Sequence, residues 1–246
     1  MKDTEKGIGK FLSKIRNTPL HPQWLILRER SSLAVFVKHN TYGVTLDIGC
    51  GDMWVKPHLE SAISRYTRYI GLDFLETASN WYYTKPDVFA DGHKLPVATA
   101  SANCVLLLNV LEHMPDPVAC LRETVRVLHS GGTCIIEIPF LYPIHDAPRD
   151  FQRWSEYGLR NACKTAGLDI LELTPLGTPL ESAALLANIA LSKLFLRLAK
   201  KWNPLVLFSV LLPAVIPLLN VIAAGIGLFE RDRFMPYGYR ILAKKV

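Results

Sequence analysis

The densest chemistry in the chain lies in Thr45-Leu46-Asp47-Ile48-Gly49-Cys50-Gly51-Asp52. An apolar strand runs straight into a glycine turn and then a helix, and glycines at such a turn let the backbone approach a bound nucleotide closely. A G-x-G after a strand also opens dinucleotide sites, but Trp54 stands where the final glycine of G-x-G-x-x-G belongs. A second acid, Asp73, ends the strand Tyr69-Ile70-Gly71-Leu72-Asp73 and is followed by Phe74. It falls 24 residues beyond the first glycine, Gly49, the placement that suits a carboxylate to a ribose diol. Asp91-Gly92 with Leu95-Pro96, and then Asn109-Val110-Leu111-Glu112-His113-Met114-Pro115, complete the series.

Charge narrows the ligand. A carboxylate at Asp47, at the end of the first strand, repels a pyrophosphate, whereas S-adenosyl-L-methionine offers a cationic ammonium and sulfonium and no phosphate. On the acceptor side, Pro139 to Phe151 and then Arg153-Trp154-Ser155 form a loop dense in polar and aromatic groups. For a hydroxyl acceptor His145 is the first choice of general base, with Asp146 or Asp150 orienting or replacing it. Arg149 and Arg153 could hold an anionic group, or they could pair with acids while His145 and Asp146 cap a turn. His93 and His113 lie inside the cofactor segments and are read as shaping the pocket. No metal-binding constellation stands out, and the five cysteines show no paired spacing, so they read as reduced, buried small hydrophobes.

These residues need a scaffold that gathers strand ends. Strands are expected at Val44–Ile48, Tyr69–Asp73, Val88–Ala90, Val105–Leu108, Thr133–Ile138 and Leu168–Leu173, separated by helices, which implies a mainly parallel sheet. Helices are expected over His21–Asn40, from the glycine turn to about Arg65, over Asp116–His129 with Pro117 in its first turn, and over Ser155–Ala166. The chemistry-bearing segments then fall at the carboxyl ends of successive strands, where ligands bind in an open parallel sheet.

Taken together, Leu46 to Asp52, Gly71-Leu72-Asp73, Asp91-Gly92 with Leu95-Pro96, and Asn109 to Pro115 resemble the four signature segments of class I S-adenosylmethionine-dependent methyltransferases of the methyltransferase type 11 family. The resemblance spans roughly residues 44 to 174. It implies a Rossmann-like α/β fold with a mainly parallel seven-stranded sheet and an antiparallel last strand, here Tyr237 to Val246; the composition adds a hydrophobic helical insertion before that strand. It also implies that Asp47, Gly49 and Gly51 border the methionine part, that Asp73 binds the ribose, that Asp91 and Gly92 meet the adenine and that Asn109 touches the amino acid end, with Phe74 and Val110 among the cofactor-binding residues. Met53 departs from the pattern, standing where many members carry a third glycine.

A chain of 246 residues suits one catalytic domain with additions: basic amphipathic helices over 1–40, a methyltransferase domain over 41–176 and 236–246, and an insertion over 177–235. Half the residues are hydrophobic and the mean hydropathy is +0.17, high for a soluble enzyme. The excess concentrates between Leu180 and Phe229. Pro213, Pro217, Asn220, Gly225 and Gly227 there argue for a broken or re-entrant course. Residues 1–16 put Ile8, Phe11, Leu12 and Ile15 on one helical face and lysines on the other. Lys193, Arg197, Lys200, Lys201, Arg231 and Arg233 flank the insertion, so the net charge of +6 points to an anionic membrane surface, and no nucleic-acid signature accompanies it. The expected protein is a methyltransferase at the cytoplasmic face of a membrane, acting on a small-molecule or lipid-linked acceptor: a glycan intermediate, an isoprenoid or a quinone-like molecule. A nicotinamide-dependent oxidoreductase and a non-catalytic membrane adaptor of the same fold remain as rivals.

Overall fold

A computed structural model describes residues 12–60, 66–79, 84–230 and 232–246, and of Tyr66 and Thr67 only the backbone. The expected segment 1–16 falls mostly outside these residues, as do Arg231 and the end of the helix drawn to Arg65; residues 12–15 are helical. The strands are β1 (Gly43–Ile48), β2 (Tyr66–Asp73), β3 (Val88–Phe89), β4 (Ala102–Leu108), β5 (Leu128–Pro139), β6 (Leu168–Leu176) and β7 (Gly238–Lys245). They form one sheet in the order β3-β2-β1-β4-β5-β7-β6. Pairing is parallel from β3 through β5, and β7 runs antiparallel between β5 and β6. This is the Rossmann-like seven-stranded arrangement expected.

The chain divides into two compact units, Leu33–Leu176 with Gly238–Val246, and Met1–Ser32 with Gly177–Tyr237.

In the sheet unit, successive residues of the central strands feed opposite faces. Leu107 and Ile136 join one cluster with Leu121 of α4 (Pro117–Val127) and Leu159 of α5 (Glu156–Ala166). Leu106 and Ile135 join the other with Leu33 and Val37 of α2 (Glu29–Asn40) and Leu59 of α3 (Lys56–Glu60). All of these are almost fully buried, and strands covered on both faces read as near-continuous apolar runs. Asp116 caps α4, its Oδ1 accepting from the Ala119 N–H at 2.9 Å, and Gly167 ends α5 at φ +89°.

Several boundaries differ from those expected, and three of the shifts have a clear physical reason. The strand expected from Thr133 begins at Leu128, because Leu128 is fully buried and pairs with Ala102, while Gly131, at φ +73°, absorbs the irregularity in register. The strand expected from Val105 likewise starts at buried Ala102. The helix expected from His21 starts later, as α1 (Trp24–Leu27) with α2 following, because Pro22 disfavours helical geometry at His21.

In the second unit, α6 (Pro179–Lys200) opens with a capping box in which Thr178 and Glu181 satisfy one another's backbone N–H groups. A 3-10 segment, Pro204–Leu211, leads to α7 (Leu212–Gly227), with Pro217 inside it. The two helices form an antiparallel hairpin: Asn188 Nδ2 donates to Asn220 Oδ1 at 2.9 Å, and a Cβ on Gly227 would come within 3.0 Å of Glu181 Oε1. Asn220 Nδ2 in turn donates to the carbonyls of Pro19 (2.7 Å) and His21 (3.1 Å). Arg28 pairs with Glu181. Pro179–Lys200 and Pro204–Gly227 are both long and apolar enough to cross a membrane.

Candidate active site

Four strand ends meet at one cleft of about 190 Å3. Gly49 follows β1, Asp73 and Phe74 end β2, Asp91 and Gly92 follow β3, and Asn109 and Val110 follow β4. All seven line the cleft. Asp146 of the acceptor loop lines it too, with His93, His113, Met114 and Arg149.

Asp73 ties two of these segments together. Its Oδ2 accepts the Gly51 N–H at 2.8 Å and its Oδ1 accepts the Phe74 N–H at 2.7 Å. Burial raises its carboxyl, while the two N–H groups pull it back down. Each oxygen retains a further acceptor site, so a diol in the cleft can still be bound. Gly51 thus works from behind, orienting the acid rather than lining the cleft.

Asp47 is also absent from the lining. It is buried, its Oδ2 accepts from Tyr69 Oη at 2.6 Å, and burial pushes its carboxyl up to about 7 against that hydrogen bond. Asp91 Oδ1 accepts from the His93 backbone at 2.9 Å and faces His93 Nδ1 at 2.6 Å. Partial burial raises Asp91, but these bonds outweigh it and hold the carboxyl below its ordinary value. Met53 sits at φ +51°, in the left-handed region where the family pattern places glycine, and its Sδ lies 3.1 Å from where a Cβ on Gly71 would be.

The acceptor loop separates the three expected catalytic residues. Asp146, at φ +52°, reaches the cleft, whereas His145 and Asp150 are not among the residues that line it. Asp150 accepts from Arg153 Nη1 (2.5 Å) and Nη2 (2.8 Å) and from the His145 backbone N–H (2.9 Å). The Arg153 guanidinium holds its carboxyl down to about 2, so Asp150 is a fixed anion and a poor proton acceptor. Arg153 is spent on that pair, while Arg149 pairs with Glu76 and covers the Phe74 ring, its Cζ 4.6 Å from the centroid.

One group was read only as part of a signature segment. Glu112 is wholly buried, neither carboxylate oxygen has a hydrogen-bond partner, and burial pushes its carboxyl up to about 8. Its Oε1 lies 3.8 Å from His113 Nε2, and single donor atoms from Glu112, His113 and His145 fall within 4.8 Å of one another. The sequence reading found no metal constellation; the fold assembles this one from residues over thirty positions apart. Adjacent Glu112-His113 was the only local hint. All five cysteines are free and buried.

Residues 46–136 match the sequence model of the Methyltransferase domain family, type 11. A 27-O-demethylrifamycin SV methyltransferase of Amycolatopsis mediterranei is 35% identical over 98 residues, covering 35% of this chain and 35% of that one. An uncharacterized 37.1 kDa protein in transposon TN4556 of Streptomyces fradiae is 35% identical over 101 residues, 38% of this chain and 29% of that one. The chain thus spans about a third of the length of these relatives. Among solved structures, an S-adenosylmethionine-dependent methyltransferase from Mesorhizobium loti superposes with a TM-score of 0.56 at 13% identity, over 88% of this chain and 97% of its own. The cyclase SpnF superposes at 0.55 with 17% identity, over 89% and 82%. Both show the fold alone, and their differing names leave the chemistry to the site.

Proposed function

We propose that this chain, whose residues 46–136 match the type 11 methyltransferase domain model, is an S-adenosylmethionine-dependent methyltransferase acting on an amphiphilic or lipid-linked acceptor at the cytoplasmic face of a membrane. The observation that carries the cofactor assignment is the placement of Asp73 at the cleft, braced by Gly51 and Phe74, with Asp91 on the neighbouring segment. This donor set fits the group: carboxylates suit a ribose diol and a cationic sulfonium, and they oppose a pyrophosphate.

S-adenosylmethionine supplies a methyl group already activated on a positively charged sulfur. The protein's share is positioning and exclusion of water. Asp73 and Asp91 fix the nucleoside end, the loop after β1 closes over it, and Asn109, His113 and Asp146 form the wall from which an acceptor is presented.

The insertion supports an amphiphilic acceptor. Leu176 and Gly238, its two ends, are register partners in the sheet, so the insertion leaves and returns at one place and a single membrane crossing is impossible. Trp202, Leu207, Val210, Leu228 and Phe229 of this unit are each at least 75% exposed, next to the exposed cations Lys193, Arg197 and Lys201. Exposed apolar residues rimmed by cations suit a hairpin that dips into one leaflet of an anionic membrane.

The test incubates full-length protein with lipid and polar extracts and methyl-labelled cofactor. Label entering a lipid-extractable product supports the reading; label confined to water-soluble small molecules removes the amphiphilic acceptor. Titration with NADH against S-adenosylhomocysteine separates the oxidoreductase rival.

A further inference from the structure

We propose that Glu112, His113 and His145 form a binding site for one divalent transition-metal ion at the wall of the cleft, placed to hold a hydroxyl of the methyl acceptor. The role assigned to the ion rests on the methyltransferase reading above; the ion-binding site itself does not.

Glu112 makes the first argument. A carboxylate with no exposed surface and no hydrogen-bond partner on another residue is costly to keep, since buried polar groups are satisfied in native proteins unless an ion or other ligand completes them. Two imidazoles close to that carboxylate are donors for such an ion, and the two-histidine, one-carboxylate set suits divalent transition metals while leaving coordination positions open.

The histidines are also held as ligands are held. His113 Nδ1 lies 2.5 Å from the Arg149 carbonyl oxygen, so it carries the proton and donates; this leaves the Nε2 lone pair directed toward Glu112. The His145 ring is held in place by neighbours of its Nδ1, namely Pro143 O (3.3 Å), Asp150 Oδ2 (3.4 Å) and Arg153 Nη2 (3.2 Å), and it offers one ring nitrogen to the cluster. The rings of His113 and His145 meet edge to face at 4.9 Å. Asp146 Oδ2, 3.9 Å from His113 Nε2, supplies a further oxygen on the cleft side. Metal–ligand bonds of about 2.0–2.2 Å place neighbouring donor atoms about 3 Å apart, so the cluster contracts slightly on binding.

His113 and Asp146 both line the cleft, so the open positions of the ion face the space where cofactor and acceptor meet. An acceptor hydroxyl taken as a ligand has its pKa lowered. Its proton passes to Asp146 or to water, its oxygen lone pair forms the bond to the methyl carbon, and the carbon–sulfur bond breaks with its electron pair staying on sulfur. The products are a methyl ether, S-adenosylhomocysteine and one proton. This arrangement makes a hydroxyl acceptor, and one with a second oxygen able to chelate, the best-suited substrate of the site.

The experiment titrates chelator-treated, full-length protein with Co2+ alone and follows the visible ligand-field absorption, in wild type, Glu112→Gln and His145→Ala. Separate calorimetric titrations measure S-adenosylhomocysteine. Saturable uptake of one equivalent by wild type, weakened at least about tenfold in both variants, is expected. Circular dichroism of the near-isosteric Glu112→Gln checks that it folds, and half-exposed His145 gives an independent variant. No stoichiometric uptake, or variants that bind Co2+ as wild type does, overturns the site. If S-adenosylhomocysteine binds and Co2+ does not, this inference falls and the methyltransferase reading stands; Co2+ binding without S-adenosylhomocysteine binding gives the reverse.

Discussion

The carboxylate of Asp73 accepts the backbone N–H of Gly51 at 2.8 Å, joining the end of β2 to the glycine loop after β1. One side chain thereby shapes the loop and faces the cleft. Asp73→Ala removes both, and loss of hydrogen bonds to a charged group costs about 1.5–3 kcal/mol. S-adenosylhomocysteine affinity should drop between about tenfold and hundredfold, measured by calorimetry. Asp73→Asn, which keeps one acceptor, should lose less; equal loss in both variants would assign the effect to charge alone.

Asp47 predicts a pH dependence. Its folded-state pKa of about 7 lies above the ordinary carboxylate value of 3.8, so the folded protein binds the proton more tightly than the unfolded chain. Stability is therefore highest below the unfolded pKa and declines as pH rises from about 4 to about 7, by on the order of 4 kcal/mol from this group. Asp47→Asn keeps an acceptor for Tyr69 and removes the titration. Urea midpoints measured from pH 5 to 8 should fall less steeply in the variant, and parallel profiles would refute this account of Asp47.

At the helical hairpin, Asn188, Asn220 and the carbonyls of Pro19 and His21 form one buried chain of hydrogen bonds. Asn220→Leu strands three polar partners at about 1–3 kcal/mol each. Thermal melting of the detergent-solubilised protein should show a loss of several degrees, whereas Val221→Leu, on the exposed side of the same helix, should leave the transition unmoved.

Leu207 and Phe208 are 75% and 58% exposed on the 3-10 segment between the helices. Burying such side chains in lipid is worth about 1.5–3 kcal/mol each. Leu207→Glu with Phe208→Glu should thus abolish flotation with phosphatidylglycerol vesicles while leaving S-adenosylhomocysteine binding intact. A double variant that floats as wild type does would show that this segment stays out of the bilayer.

The glycine loop, Asp73, Asp91-Gly92 and Asn109 were legible in the sequence because each is a local event, a strand end followed by a turn, and the parallel sheet brings such ends together without further information. Leu128 was misread as helix because the strand it opens passes through Gly131 and Gly132, and those glycines look like a stop until the pairing partner Ala102 is known. Asp47 was expected at the cleft, but its environment is set by Tyr69, a residue of the adjacent strand. Glu112 with His145 was beyond reach for the same reason: their nearness depends on where the loop after β5 comes to rest, and spacing along the chain does not encode it.

The most direct test is a crystal structure grown with S-adenosylhomocysteine. The ribose hydroxyls should lie within hydrogen-bonding distance of Asp73, with the adenine beside Asp91 and Gly92 and the sulfur facing Asn109 and His113. A nucleoside bound elsewhere, or a cleft still closed by its own side chains in the presence of saturating compound, would contradict the assignment.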